Sequence, residues 1–359
     1  MTPRERILRT IAGEKTDRLA WTIYSGLLPR SPEADELIEM GLGLVSVVSP
    51  YIVERPNVRL LRKETPEEVI HIFETPVGRL TQRMRREGGY GSLWVKEHLV
   101  KSPEDYRILK FIVQDTIYRP NYNSFIQAER RMGERGVIMA GLERSPFQKM
   151  WIEFTGIERL SVDLYENPPL VEELLGIILE KQREMWRIVA NSPAELVWCP
   201  DNITGVITGP KLFRRYLIPY YNEVTDLMHS KGKKVVTHMD GPLRSIVREI
   251  GETPIDVIEA FTPPPDGDLP LDEAKRSWPD KVIWINFPSS IHIASPERIR
   301  EVTMRLLKEA IPGDRVLFGV TENIPEDAWR RSLRIITDNM RDYERIRYGL
   351  QRKSHQPHR

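Results

Sequence analysis

The chain has 359 residues, with 53 Lys+Arg against 52 Asp+Glu, a net charge of +1 and a single cysteine. That length holds two domains or one large barrel around a substantial core. The balanced charge removes the electrostatic case for nucleic acid or an anionic membrane as partner, and one cysteine excludes an internal disulfide and fits a reducing compartment.

The opening "MTPRERILRTIAGEKTDR" is charged from Arg4 and lacks the apolar core of a signal peptide. "LAWTIY" (Leu19–Tyr24) is the first apolar run and precedes the helical "PEADELIEM". "LGLVSVVS" (Leu42–Ser49) follows; the longer stretch "GLGLVSVVSPYIV" is too short for a bilayer and is broken by Pro50. A cytoplasmic protein is therefore expected. "EVIHIFETPVGRLTQRMRREGGYG" alternates and carries turn residues, which predicts an antiparallel hairpin near Val69–Val95. From Gly136 the pattern becomes regular. "GVIMAGL" precedes the helical "PPLVEELLGIILEKQREMWRIVANS", and "ELVWCPD" precedes "PKLFRRYLIPYYNEVTDLMHSKG" with its glycine stop. "KVVTHMD", "DVIEAF", "KVIWINF" and "RVLFGVT" are each followed by an amphipathic stretch.

Short strands alternating with helices predict parallel βα units, and their count fits a single (β/α)8 TIM barrel. One barrel domain is expected over residues 1–345, with a polar tail over 346–359. A doubly wound sheet is the competitor, weakened because no glycine-rich phosphate fingerprint follows any strand.

Polar residues gather where strands give way to loops: Glu143, Asp201 with Asn202, His238 with Asp240, Asn286, and Glu322 with Asn323. In a barrel these positions converge on one mouth. Taken singly, Asp201, Asn202, Asp240 and Asn323 each fit a turn or helix cap, and Glu143 next to Arg144 fits an ion pair. Glu259 sits inside a strand, where an ionised carboxylate must be paired or liganded. His238 has Asp240 two positions on, on the same side of the strand. One histidine with several carboxylates can hold a divalent metal such as Zn2+ or act as an acid–base set. Cys199, inside its strand, reads as a buried thiol, and His71, His98, His355 and His358 receive no role.

Several segments in order, "PRERILRTIAGEKTDRLAW", "TPVGRL", "VKSPEDY", "DNITGVITGPKLFRRYLIPYYNEV", "KGKKVVTHMDGPL", "IEAFTPPPDGDLPLDEA" and "GVTENIPEDAW", resemble the uroporphyrinogen decarboxylase superfamily. The resemblance implies a (β/α)8 barrel with its site at the carboxyl-terminal mouth. True decarboxylases of that superfamily carry Arg-Gln-Ala-Gly-Arg after the first strand; here the place reads "YSGLLPR", with Tyr24, Ser25 and Gly26, and no arginine pair. The aspartate of their Phe-Ser-Asp-Ile segment has no match in "VVSPYIVERPN".

The other branch, methyltransferases that work with a corrinoid protein, binds zinc in its thiol-specific members through His-x-Cys and a later Cys. This chain keeps the histidine as His238, has Asp240 at the first cysteine and offers Glu322 in the region of the second. Such an oxygen-rich site suits an ether oxygen better than a thiolate. The resemblance therefore implies an O-demethylase component that moves a methyl group from a small methoxylated, aromatic substrate to the Co(I) corrinoid of a separate protein. His238, Asp240 and Glu322 would hold Zn2+, His238, Asp201 and Glu143 would serve the chemistry, and Tyr24, Asn202 and Asn286 would line the substrate. A homodimer is compatible with this reading. A decarboxylase acting on another acid and a non-catalytic binding barrel stay open beside it.

Overall fold

The computed structural model describes residues 1–87, 92–311 and 315–348. Its strands are β1 (Ala20–Tyr24), β2 (Leu42–Val48), β3 (Tyr51–Glu54), β4 (Arg59–Glu64), β5 (Glu68–Thr75), β6 (Gly78–Glu87), β7 (Ser92–Glu97), β8 (Ile117–Pro120), β9 (Gly136–Gly141), β10 (Leu196–Cys199), β11 (Lys234–His238), β12 (Val257–Phe261), β13 (Val282–Asn286) and β14 (Val316–Val320). Eight of them close a parallel barrel in the order β1-β14-β13-β12-β11-β10-β9-β2. These are the eight apolar runs that the sequence pattern picks out. Their interior reads as continuous burial, every residue of β9, β12, β13 and β14 being buried, as expected for parallel strands covered on both faces.

By contact density the chain divides into two compact units. Unit 1 takes Met1–Val45, Glu134–Val137 and the chain from Thr262 onward; unit 2 takes Ser46–Gly133 and Ile138–Phe261. In unit 1, β1 runs beside β14 with Trp21 opposite Phe318, and β13 beside β14 with Ile285 opposite Phe318. The helix Pro3–Ile11 starts with a capping box, Thr2 accepting from Glu5 N–H and Glu5 reaching back, the reciprocal arrangement that satisfies two orphan donors. The last helix runs from Trp329 to Tyr348, so it continues past residue 345; residues 349–359 lie outside the described residues.

In unit 2, β10 lies between β9 and β11, with Val197 opposite Ala140 and Trp198 opposite Val236. The next pairing sets His238 directly opposite Glu259. The expected hairpin is larger than the sequence suggests: β4, β5, β6 and β7 form a four-stranded antiparallel sheet, and β3 and β8 form a separate pair. The β4 strand escapes the pattern because its outward face is all polar or exposed, so no alternation marks it. Residues 88–91 of the expected hairpin segment lie outside the described residues. The β5–β6 turn closes at Gly78, where φ is +143° and a Cβ would lie 2.6 Å from Ile108 Cδ1, so only glycine fits. The helix expected over "PKLFRRYLIPYYNEVTDLMH" is interrupted. Gly209 at φ +49° marks its start at Pro210, as expected, but a wide turn over Phe213–Leu217 then precedes the helix Ile218–His229, with Pro219 in its first turn; neither proline can donate a helical hydrogen bond. Among the described residues no helix is long and apolar enough to cross a membrane.

Close approach decides one barrel position in unit 1. A Cβ on Gly319 would lie 2.8 Å from Trp284 Nε1, 2.9 Å from Ile285 O and 3.0 Å from Thr22 Oγ1. Gly319→Ala should destabilise the protein by about 1–3 kcal/mol, read as a lower denaturation midpoint with an unchanged slope.

Candidate functional site

The site grows from the β11–β12 register. Parallel neighbours in register point to the same face, so placing His238 opposite Glu259 brings an imidazole and a carboxylate together inside the barrel wall. Glu259 is fully buried. It accepts from His238 Nδ1 at 2.7 Å and from Trp198 Nε1 at 3.0 Å, which meets the demand that a buried carboxylate be paired. The Trp198 indole also stands edge-on to the imidazole, ring centres 5.7 Å apart. Ala260, the next residue of β12, has φ +60°; for an alanine this left-handed backbone costs about 1–2 kcal/mol, local strain carried immediately beside the buried pair.

With Nδ1 committed to Glu259, His238 turns Nε2 towards Asp240, whose Oδ2 lies 3.7 Å away. Burial alone would lower the imidazole pKa, but the Glu259 and Asp240 carboxylates outweigh it and lift it to about 10. Asp240 is half-buried. Burial would raise its pKa, but the His238 ring and an Asn202 hydrogen bond hold it below its usual value.

Asn202 connects this pair to a second polar cluster. Its Nδ2 donates to Asp240 Oδ2 at 2.9 Å, and its Oδ1 accepts from Arg144 Nη2 at 2.8 Å. Asn202 sits at φ +48°, a conformation that asparagine tolerates better than most residues. Arg144 reaches Glu153 at 3.2 Å, Glu153 lies 3.3 Å from Lys149, and Lys149 holds Glu143 at 2.7 Å. Burial would lower the Lys149 ammonium, yet Glu143 and Glu153 keep it above its ordinary value. Burial would likewise raise Glu143, yet Lys149 holds it below the usual carboxylate range. The structure therefore brings Glu143, Asn202, His238 and Asp240 into one continuous polar chain.

The structure places three of the expected site residues as follows. Asp201 is fully buried and both its oxygens are engaged, one accepting from Ser145 N–H and the other from the Tyr221 hydroxyl, each at 2.6 Å. Burial raises its pKa, but it reaches no solvent. It fastens the loops after β9 and β10 and so positions Asn202. Glu143 is engaged by Lys149 at 2.7 Å. Asn286, in unit 1, is 2 % exposed. Its carbonyl accepts from Thr321 N–H at 3.0 Å and its amide donates to Thr262 Oγ1 at 3.3 Å, so it ties strand ends together and has no free face for a substrate. Also in unit 1, Tyr24 ends β1 half-buried, and Glu322 follows β14 in a partly exposed loop. Cys199 is fully buried, and burial pushes its thiol well up, in line with an inert thiol.

Sequence reasoning left Glu259 without a role, paired Glu143 with Arg144 where the structure pairs it with Lys149, and missed Trp198. Trp198 was visible two residues before the turn in "ELVWCPD", but what it touches depends on how β10 and β12 are placed, which no local pattern reports.

His238 Nε2 and Asp240 offer a nitrogen and an oxygen to a cation, and Glu259 on Nδ1 is the kind of outer carboxylate that fixes a ligating imidazole. The donor set thus fits a borderline divalent ion such as zinc. Strand-end side chains carrying a buried histidine–carboxylate pair on an eight-stranded parallel barrel define a (β/α)8-barrel enzyme. The chain belongs to the uroporphyrinogen decarboxylase family: residues 94–343 match the family described as Uroporphyrinogen decarboxylase (URO-D). Among curated relatives, the uroporphyrinogen decarboxylase of Rickettsia rickettsii (strain Sheila Smith) is 26% identical over 261 residues, covering 68% of this chain and 70% of its own length. That of Rickettsia massiliae (strain Mtu5) is 24% identical over 251 residues with the same coverage. A solved methyltransferase from Methanosarcina mazei shares the fold, with a TM-score of 0.61 at 11% identity over 96% of this chain and 99% of its own.

The pair sets a pH dependence in metal-free protein. An imidazole near 6.5 in the unfolded chain and near 10 in the folded one contributes stability that is complete below about pH 6.5 and lost as pH rises towards 10. Wild-type stability should decline across that window, and Glu259→Gln should flatten the decline. Urea titrations at stepped pH, with the His238 ring proton followed by NMR, check both.

Proposed function

We propose that the protein is a methyltransferase that takes a methyl group from a small methoxylated aromatic compound and passes it to the Co(I) corrinoid of a partner protein. The observation that carries this reading is the orientation of His238: Glu259 holds Nδ1 at 2.7 Å, so Nε2 is the nitrogen left for a ligand. The proposed ligands of a Zn2+ ion are His238, Asp240 and Glu322. One neutral nitrogen and two carboxylates balance the charge of the ion and leave it a position for a substrate oxygen. A zinc ion there supplies a Lewis acid for the ether oxygen.

The chain's own residues do the rest. Glu259 and Trp198 keep the imidazole in one orientation and tautomer. Asn202, clamped between Arg144 and Asp240, fixes the Asp240 carboxylate. Asp201 holds the loop that carries Asn202. Tyr24, at the end of β1, is proposed to face the aromatic ring of the substrate. The Methanosarcina mazei neighbour, named a methyltransferase, supports the class of reaction through its fold.

Decarboxylation is the second reading, favoured by the names of the 26% identical relatives. Porphyrinogens present many carboxylates, and a pocket that binds them needs charge-assisted donors. "YSGLLPR" supplies no arginine pair at Tyr24–Gly26, and this stretch lies outside the matched residues 94–343. An anaerobic assay with uroporphyrinogen is expected to give no coproporphyrinogen; turnover would reverse the choice.

For methyl transfer, His238→Ala should lose both stoichiometric metal and demethylation, because the remaining oxygen donors prefer harder ions; because it also leaves buried Glu259 without its cationic partner, it should lower stability by about 3–5 kcal/mol. Elemental analysis beside a demethylation assay with corrinoid protein reads both. Active wild-type protein without metal would make His238 an acid–base group, and an unimpaired His238→Ala would remove it from the mechanism.

A further inference from the structure

Unit 2 contains a cavity of about 310 Å3 that none of His238, Asp240, Asn202 and Asp201 lines. It lies between β5, β6 and β7 on one side and the helices Asp105–Gln114 and Pro168–Ala190 on the other, with the segment after β9 closing one end. Its volume is at the lower end of the range for small-molecule sites. Most of the wall is apolar: Phe73, Leu99, Ile112, Phe154 and Ile178 face it, with the Met84 thioether among them. Two phenyl rings and a thioether suit a flat π body better than an aliphatic chain.

The polar end carries a charge imbalance. Arg55, Lys149 and Lys181 line the cavity against Glu143 and Glu153. Lys149 is shared by the two carboxylates, and Lys181 pairs with Glu184. Arg55 is the third cation; its charge acts on Glu143, whose carboxylate is hydrogen-bonded to Lys149 instead. Its Nε donates to Thr116 Oγ1 at 3.0 Å, and its two terminal nitrogens have no acceptor among the described residues. A planar pair of N–H donors in this state matches a carboxylate.

A second group points to a ligand independently. Gln182 lines the cavity and is fully buried. Its Nε2 donates to the Arg144 carbonyl at 2.6 Å, which assigns the amide orientation and leaves Oε1 buried with no donor. A buried acceptor in this state calls for an O–H or N–H partner.

We propose that this cavity binds an aromatic monocarboxylic acid bearing a hydroxyl group. The carboxylate pairs with Arg55, the ring packs between Phe73 and Phe154, and the hydroxyl donates to Gln182 Oε1. The site is separate from His238, and binding needs neither metal nor corrinoid.

The test is calorimetry on the full chain with 3-(4-hydroxyphenyl)propionate and its uncharged amide. The acid should bind one to one, at least tenfold more tightly than the amide. Arg55→Met should weaken the acid at least tenfold and leave the amide unchanged, Val113→Trp should abolish both by filling the cavity, and His238→Ala should bind the acid as wild type does. Circular dichroism confirms that each variant is folded; should Arg55→Met fail to fold, the acid-to-amide ratio on wild type still decides. No binding at millimolar acid, equal binding of acid and amide, or full affinity in Arg55→Met or Val113→Trp would overturn the proposal. Loss of the acid in His238→Ala would also overturn it, by placing the ligand at the strand-end site.

Discussion

A carboxylate without solvent exposure in the middle of a barrel strand sets the terms for everything around it. Removing Glu259 from water costs several kcal/mol unless a charge and hydrogen bonds replace the lost hydration. His238 and Trp198 supply them, at 2.7 and 3.0 Å. The same bond that neutralises Glu259 commits Nδ1 and turns Nε2 towards Asp240. Orientation of the histidine is thus a by-product of a stability requirement, and the group left over is the one with chemical use.

The network beyond Asp240 spreads this constraint. Glu143, Lys149, Glu153, Arg144, Asn202 and Asp240 form an unbroken series of charged and amide groups. In a low-dielectric setting such a series is rigid when fully satisfied and costly when one member is lost. Asp201 serves it from below: by holding Ser145 N–H and the Tyr221 hydroxyl it fixes the backbone that presents Asn202 at φ +48°. A buried aspartate with both oxygens engaged anchors a loop, and the residue after it inherits a defined position. The same network borders the apolar cavity, so two regions of different chemistry share one set of ion pairs.

Family membership and local chemistry pull the functional reading in different directions, and the physics of recognition separates them. A family is recognised over residues 94–343, which cover most of the barrel. Substrate choice depends on donors at a few loop positions, such as those after β1, and barrels with the same strands host unrelated reactions. The chain keeps the scaffold, and Tyr24, Ser25 and Gly26, which follow β1, lie outside the matched residues.

The barrel strands were legible in the sequence because each is a short β-branched run followed by an amphipathic stretch, a signal carried by neighbours in the chain. His238 and Asp240 were legible for the same reason, two positions apart on one pleat. β4 was not, since a strand exposed on both faces leaves no alternation, and neither was the wide turn at Phe213–Leu217, where helical spacing continues in the sequence. What only the tertiary structure decided is who pairs with whom. Glu259 lies 21 residues from His238, Trp198 lies 61 residues from Glu259, and Arg144 lies 58 residues from Asn202. Those contacts depend on strand register and loop anchoring. The sequence determined that polar residues end the strands; register determined that one of them, Asp201, is sealed as an anchor while another, His238, is held with a nitrogen to spare, because a shift of one residue would turn each side chain to the opposite face.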